Sequence, residues 1–132
     1  MLTDKEFANR LRDLFEHRKR VNLVDVNLLK LGRHFRVDEG KIIVGRNEAE
    51  NKALTARRNK NDYFFEVPDI AGPITLLQGK KTRKAVETAS ALTAFYSDAK
   101  TDNVTVCYGR EKLDRTTTVK RPSREEVETL RV

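Results

Sequence analysis

Two short stretches of this sequence combine residue types at spacings that can do chemistry. The first is Gly45-Arg46-Asn47-Glu-Ala-Glu50-Asn51. Its glycine frees the backbone to turn, Asn47 is a good helix N-cap, and Glu50 stands at the capping-box spacing three residues on. A junction of this kind displays Arg46 away from the strand that precedes it. Glu48 and Glu50 in the first helical turn complement the helix dipole and repel a phosphate, so an anion contact here falls to Arg46. The second stretch is Lys80-Lys81-Thr-Arg83-Lys84, four cations where a helix opens and its dipole is already positive. The mismatch is worth about 0.3–1 kcal/mol per charge at an exposed end. Free backbone N–H groups beside converging lysine and arginine are the ingredients of a phosphate site. The plain structural alternatives are a well-capped strand–helix turn for the first stretch and a solvated basic loop for the second.

The elements that must carry these clusters are legible from periodicity. Thr3 caps a first helix reaching His17-Arg-Lys-Arg20, with Phe7, Leu11, Leu14 and Phe15 on one face. Asp25 caps a single turn through Leu29, stopped by Gly32. Leu31, Arg33, Phe35 and Val37 alternate as a strand. Either Arg33 lies within its apolar face or the register shifts at Gly32. Asp38–Gly40 turns the chain into Lys41–Val44, a β-branched strand. A helix from Asn47 to about Arg58 follows, then strands at Tyr63–Val67 and Ile74–Gln78. The helix opened by Lys80–Lys84 runs to about Ser97 on a face of Ala85, Ala89, Leu92 and Tyr96. Val104–Tyr108 and Arg115–Lys120 form a last hairpin, and Ser123 with Glu126 caps a short terminal helix. The expected fold is α+β: a mixed or mostly antiparallel sheet of short strands packed with two or three main helices. One domain spans 1–132, with the helix at 3–20 as an appendage.

The 132 residues carry a net charge of +7, with 38% hydrophobic and 36% charged residues. Such a basic balance favours a polyanionic partner, nucleic acid before an anionic membrane surface. No apolar run approaches a membrane span, and the N-terminus lacks a signal-peptide core, so the cytoplasm is the expected location. A single cysteine, Cys107, excludes an internal disulfide and a cysteine-rich zinc site. Mid-strand, it reads as a small core residue, while a sulfur-carrier role requires it exposed near cations. There are two histidines, no paired carboxylates, no phosphate-binding glycine loop and no Ser-Gly-Gly-x-Asp-Ser loop. No residue is assigned to catalysis or to a metal, and no cofactor is expected.

A polyanion reader needs distributed cations and, for single strands, exposed aromatics. The candidate contacts are Arg33, His34, Lys41, Arg46, Asn47, Asn51, Lys80, Lys81, Arg83, Lys84 and Tyr96. Tyr63 and Tyr108 are further stacking candidates, because a polar tip suits a surface, whereas Phe64 or Phe65 and Phe95 read as core. A different class of function is a protein-docking module that never touches RNA, marked by an exposed apolar patch near the first helix.

Ile43-Val-Gly-Arg-Asn-Glu-Ala-Glu-Asn-Lys-Ala-Leu54, Gly72-Pro-Ile-Thr-Leu-Leu-Gln-Gly79 and Leu92-Thr-Ala-Phe-Tyr-Ser-Asp98 together resemble the NFACT-R type RNA-binding domain over about residues 30–120. Leu2-Thr-Asp-Lys-Glu-Phe7 and Leu28-Leu-Lys-Leu-Gly-Arg-His-Phe35 extend the likeness to the version at the C-terminus of bacterial tRNA thiolation enzymes similar to the thiouridine synthases. NFACT-R domains of ribosome quality-control proteins carry an Asp-His pattern that Asn61-Asp-Tyr-Phe-Phe-Glu66 lacks, which favours the thiolation branch. The resemblance implies a non-catalytic domain that presents tRNA to an ATP-pyrophosphatase-type, sulfur-transferring catalytic domain, in cis or in trans. By the same resemblance the chain is expected to be the C-terminal part of a longer protein, or a stand-alone relative that works with one.

Overall fold

Thr3, Asn47 and Ser123 each accept a hydrogen bond from the backbone N–H three residues on, and each opens a helix. The computed structural model describes residues 2–132. Its elements are α1 (Asp4–His17), α2 (Leu23–Leu28), β1 (Arg33–Val37), β2 (Gly40–Val44), α3 (Glu48–Arg57), β3 (Tyr63–Glu66), β4 (Thr75–Gln78), α4 (Arg83–Tyr96), β5 (Asn103–Gly109), β6 (Arg115–Lys120) and α5 (Arg124–Thr129). The expected α+β fold is observed. α1 ends three residues before Arg20, and Phe15, expected on its packed face, is 60% exposed. α2 opens on Asn22 rather than Asp25. Asp25 instead closes a capping box, with its carboxylate accepting from the Asn22 N–H. α4 starts at Arg83 behind the N-cap Thr82, so Lys80 and Lys81 precede the helix.

The six strands form one sheet in the order β1-β2-β4-β3-β5-β6, and every pairing is antiparallel. Alternation along the strands makes two apolar layers. Phe35, Val37, Ile42, Val44, Phe65 and Leu77 face α4, which touches every strand, and Val127 of α5 joins them. Ile43 and Leu76 face the other way, against Leu28 of α2 and Leu54 of α3. Arg33 shares the side of Phe35 and Val37, so it does lie within the apolar face of its own strand. Cys107 alternates with Val104 and Val106, so it points away from the α4 layer. It is half-buried rather than core.

α1 docks on the α2–α3 side through charge more than through apolar packing. The Asp13 carboxylate accepts from Arg36 at 2.6 Å and Lys41 at 3.1 Å. Arg10, 1% exposed, donates to the Leu29 carbonyl at 2.7 Å. Removing the Asp13 charge leaves two cations packed together without a counterion. We expect Asp13→Asn to cost about 2–4 kcal/mol, less than a fully buried pair because Asp13 retains some exposure. Denaturant unfolding measures the loss, and amide exchange should show α1 opening before the sheet.

Candidate nucleic-acid interface

Glu50 organises the first of the two basic stretches. Its carboxylate accepts from the Arg46 backbone N–H at 2.9 Å, Arg46 Nε at 2.9 Å, Arg46 Nη2 at 2.8 Å and the Gly32 N–H at 3.1 Å. The capping-box spacing is therefore used differently than expected, since the Glu50 side chain clamps Arg46 and Gly32 instead of returning to Asn47. Four donors hold the Glu50 carboxyl down at about 2, the Arg46 guanidinium contributing most. Arg46 is thus neutralised locally rather than free. Asn51 is structural too. Its side-chain oxygen accepts from the Ile74 N–H at 3.0 Å and lies where a Cβ on Gly45 would collide. Beside this knot, the Arg33 guanidinium stacks 4.2 Å from the centroid of the Tyr96 ring. Arg33, Arg46, Asn47, Asn51 and Tyr96 line one open, shallow depression with Gly72 and Pro73. Five of the expected contacts therefore meet here.

Two expected contacts are not on the open surface. His34 is fully buried, and its Nε2 lies 2.8 Å and 3.1 Å from the carbonyls of Leu31 and Leu28. Burial, with Lys41 and Arg10 nearby, holds this imidazole neutral, its pKa well below the usual range. It is not an RNA contact on this geometry. Lys41 is 7% exposed and tied to Asp13. Burial lowers its ammonium pKa to about 8.

Lys80, Lys81, Arg83 and Lys84 lie at the opposite end of the sheet. α4 has 14 residues and runs from one end to the other, which separates Tyr96 from this cluster by about 20 Å. Arg83 pairs only with the exposed Glu87, and Lys84 lies 3.7 Å from Asp38, contacts that water and salt weaken easily. Gly79, at φ +92, makes the turn that throws these cations outward. Lys81 leans back over Tyr63, 5.5 Å from the ring centroid. Arg110 and Arg115 reach the same ring at 5.5 Å, and Arg115 donates to the Tyr63 hydroxyl at 2.9 Å. Tyr63 is itself 6% exposed, so it anchors cations rather than offering a stacking face. The depression beside it is lined by Lys60, Arg110, Lys112 and Arg115, with the carboxylates of Glu111 and Asp114 among them. The β5–β6 hairpin thus adds three cations that the sequence reading passed over. Their signal was present in Gly109-Arg-Glu-Lys-Leu-Asp-Arg115, but placing that loop beside Lys81 requires the β3–β5 pairing.

The geometry is that of a binding domain, an antiparallel sheet walled by helices with a concentration of free cations at one end. The chain belongs to the family described as the NFACT protein RNA binding domain, whose model matches residues 32–131. No curated protein gives a significant match. Among solved structures, the C-terminal region of the fibronectin/fibrinogen-binding protein from Streptococcus suis shares the fold, with a TM-score of 0.69 at 17% identity. The alignment covers 98% of this chain and 62% of that one, so this chain spans less than two thirds of its length.

The lowered Glu50 pKa fixes the sign of an acid effect. Its stabilisation is complete above the ordinary value of 4.5 and is lost as pH falls towards about 2. We expect the parent chain to lose on the order of 2–3 kcal/mol in that window that the Glu50→Gln variant does not lose. Urea unfolding at pH 6, 4 and 3 reads the difference, and parallel curves for the two proteins contradict it.

Proposed function

We propose that the chain is a tRNA-binding accessory domain that presents tRNA to a sulfur-transferring modification enzyme, linked to it or separate, in the cytoplasm. The observation that carries the reading is the belt of free cations at the Gly79 end of the sheet, in a chain whose family binds RNA. Lys80, Arg83 and Lys84 have no buried counterion, whereas Arg46 is held by Glu50. Phosphate contact releases counterions from the nucleic acid, so free cations contribute where paired ones do not. Arg33 on Tyr96, about 20 Å away at the far end of α4, supplies a second contact for an extended or folded RNA. The assignment to tRNA, and to thiolation by an ATP-pyrophosphatase-type domain, draws on the stretches at residues 2–7 and 28–35 and on the missing Asp-His pattern at 61–66. Family membership and the observed fold are compatible with it.

Simultaneous charge reversal of Lys80, Lys81, Arg83 and Lys84 should weaken tRNA binding at least tenfold near physiological salt. The slope of log affinity against log salt should fall by about 2–3, four contacts at roughly 0.7 each. Fluorescence anisotropy at several salt concentrations measures both. Unchanged affinity and slope sink the belt as the interface.

A specific observation favours a docking role for another surface. Phe15, Leu23 and Val24 are 60%, 73% and 45% exposed around the α1–α2 connection. Exposed apolar side chains of this size suit packing on a catalytic domain. Association with such a domain should then survive about 0.5 M salt and be lost in Phe15→Ser/Leu23→Ser, the reverse of RNA binding. Sedimentation of the mixed proteins reads the outcome.

A further inference from the structure

A second cleft lies between the end of α1 and the α2–α3 side of the sheet. It is about 360 Å³, within the range of small-ligand sites. Arg18 at the close of α1, whose half-exposed guanidinium makes only a long 3.5 Å contact with Asp25, Arg36 of β1, Lys41 of β2 and Lys81 after β4 contribute cations to its lining. Asn59, Asn61 and Gln78 contribute amides. This cleft is not part of the depression at Tyr96, and Leu14, His17 and Arg18 on one side of it belong to the end of a helix that precedes the family's matched residues 32–131.

The polar groups are arranged for more than charge. Arg36 and Lys41 are fixed on the floor by Asp13, with Lys41 93% removed from solvent by its 7% exposure. Gln78 donates its Nε2 to Asp62 at 3.1 Å, which orients the amide and leaves its oxygen as an acceptor. Asp62 also accepts from the Asn59 N–H at 2.8 Å, so the loop at 59–62 is held against the cleft. Asparagine and glutamine amides present paired donor and acceptor groups that match base edges, while arginine and lysine match phosphate. The carboxylates of Glu39 and Asp62 also line the space, and they disfavour a bare anion while accepting readily from base N–H groups.

We propose that this cleft is a nucleotide pocket that takes one unstacked nucleotide of the bound RNA, its phosphate on Arg18 and Lys81 and its base against Asn61 and Gln78. The inference rests on the RNA-binding reading for its source of nucleotide. It adds to that reading a site, and it gives α1 a task beyond covering the sheet. Single-stranded and end-frayed RNA offers bases that can be drawn out in this way.

The test uses the full isotopically labelled chain in NMR titrations with the four 5′-mononucleotides, inorganic phosphate and a single-stranded RNA. The expected result is that one mononucleotide shifts residues 14–18 and 59–62 and the side-chain amides of Asn61 and Gln78 together. Inorganic phosphate should produce only part of this pattern. Arg18→Glu should weaken the mononucleotide five- to tenfold. Asn61→Ala, which leaves the charge unchanged, should flatten the preference among bases. If phosphate reproduces the mononucleotide pattern, or if both variants bind like the parent, the pocket is overturned. RNA shifts confined to the Lys80–Lys84 and Arg110–Arg115 segments overturn the pocket while the RNA reading stands. Mononucleotide shifts in the cleft without any RNA binding overturn the RNA reading and leave a free-nucleotide site in place of the proposal.

Discussion

Four hydrogen bonds converge on the carboxylate of Glu50, and much of one end of the molecule hangs on them. They join the entry to β1 at Gly32, the turn after β2 at Arg46 and the first turn of α3. Asn51, one residue on, pins the start of β4 through the Ile74 N–H. A single helical turn therefore fixes the relative positions of three strands. The cost is that Arg46, exposed at the turn before it, is no longer free to meet a ligand with full charge. Arg46 looked like the displayed residue of a ligand-binding turn, yet the geometry makes it chiefly part of the clamp.

The same trade recurs under α1. A helix carried on apolar packing would bury its large side chains, but Phe15 is left outside and Arg10 is taken in. Asp13 supplies the counterion for Arg36 and Lys41, and His34 stays neutral beneath them because charging it would add a cation to a buried, already positive region. Two buried polar atoms, Arg10 Nε and His34 Nδ1, have no hydrogen-bond partner among the described residues. This layer is thus specified by pairing of charges, which fixes where α1 sits more sharply than it stabilises the fold.

These two features mark where the sequence can and cannot be read. Caps at Thr3, Asn47 and Ser123, the strand alternations and the α4 face obey local rules, and the α+β sheet of short strands followed from them. Burial of a histidine or lysine obeys no local rule. His34 alternates like a surface residue in Arg33–Val37 and becomes buried only because α1 and α2 close over it. Lys41 opens the expected strand Lys41–Val44 and is covered because α1 brings Asp13 over that face of the sheet. The cations of the β5–β6 hairpin were overlooked for the converse reason. Their proximity to Lys81 depends on β5 pairing with β3 across more than forty residues of chain.

Net charge explains why the molecule seeks a polyanion but not where. The +7 is the balance of 27 lysines and arginines against 20 aspartates and glutamates, and it names no surface. What distinguishes surfaces is which cations are already committed. Arg10, Arg36, Lys41 and Arg46 are consumed in holding the layers together. Lys60, Lys80, Arg83, Lys84, Arg110 and Lys112 are left at the end of the sheet where β2, β4 and the last hairpin turn. In that end Tyr63 gathers Lys81, Arg110 and Arg115 about one ring, so the cations are set in place before a ligand arrives and lose less freedom on binding it. The fold therefore sorts one basic composition into an internal scaffold and an external belt, and the belt retains charge with which to hold phosphate.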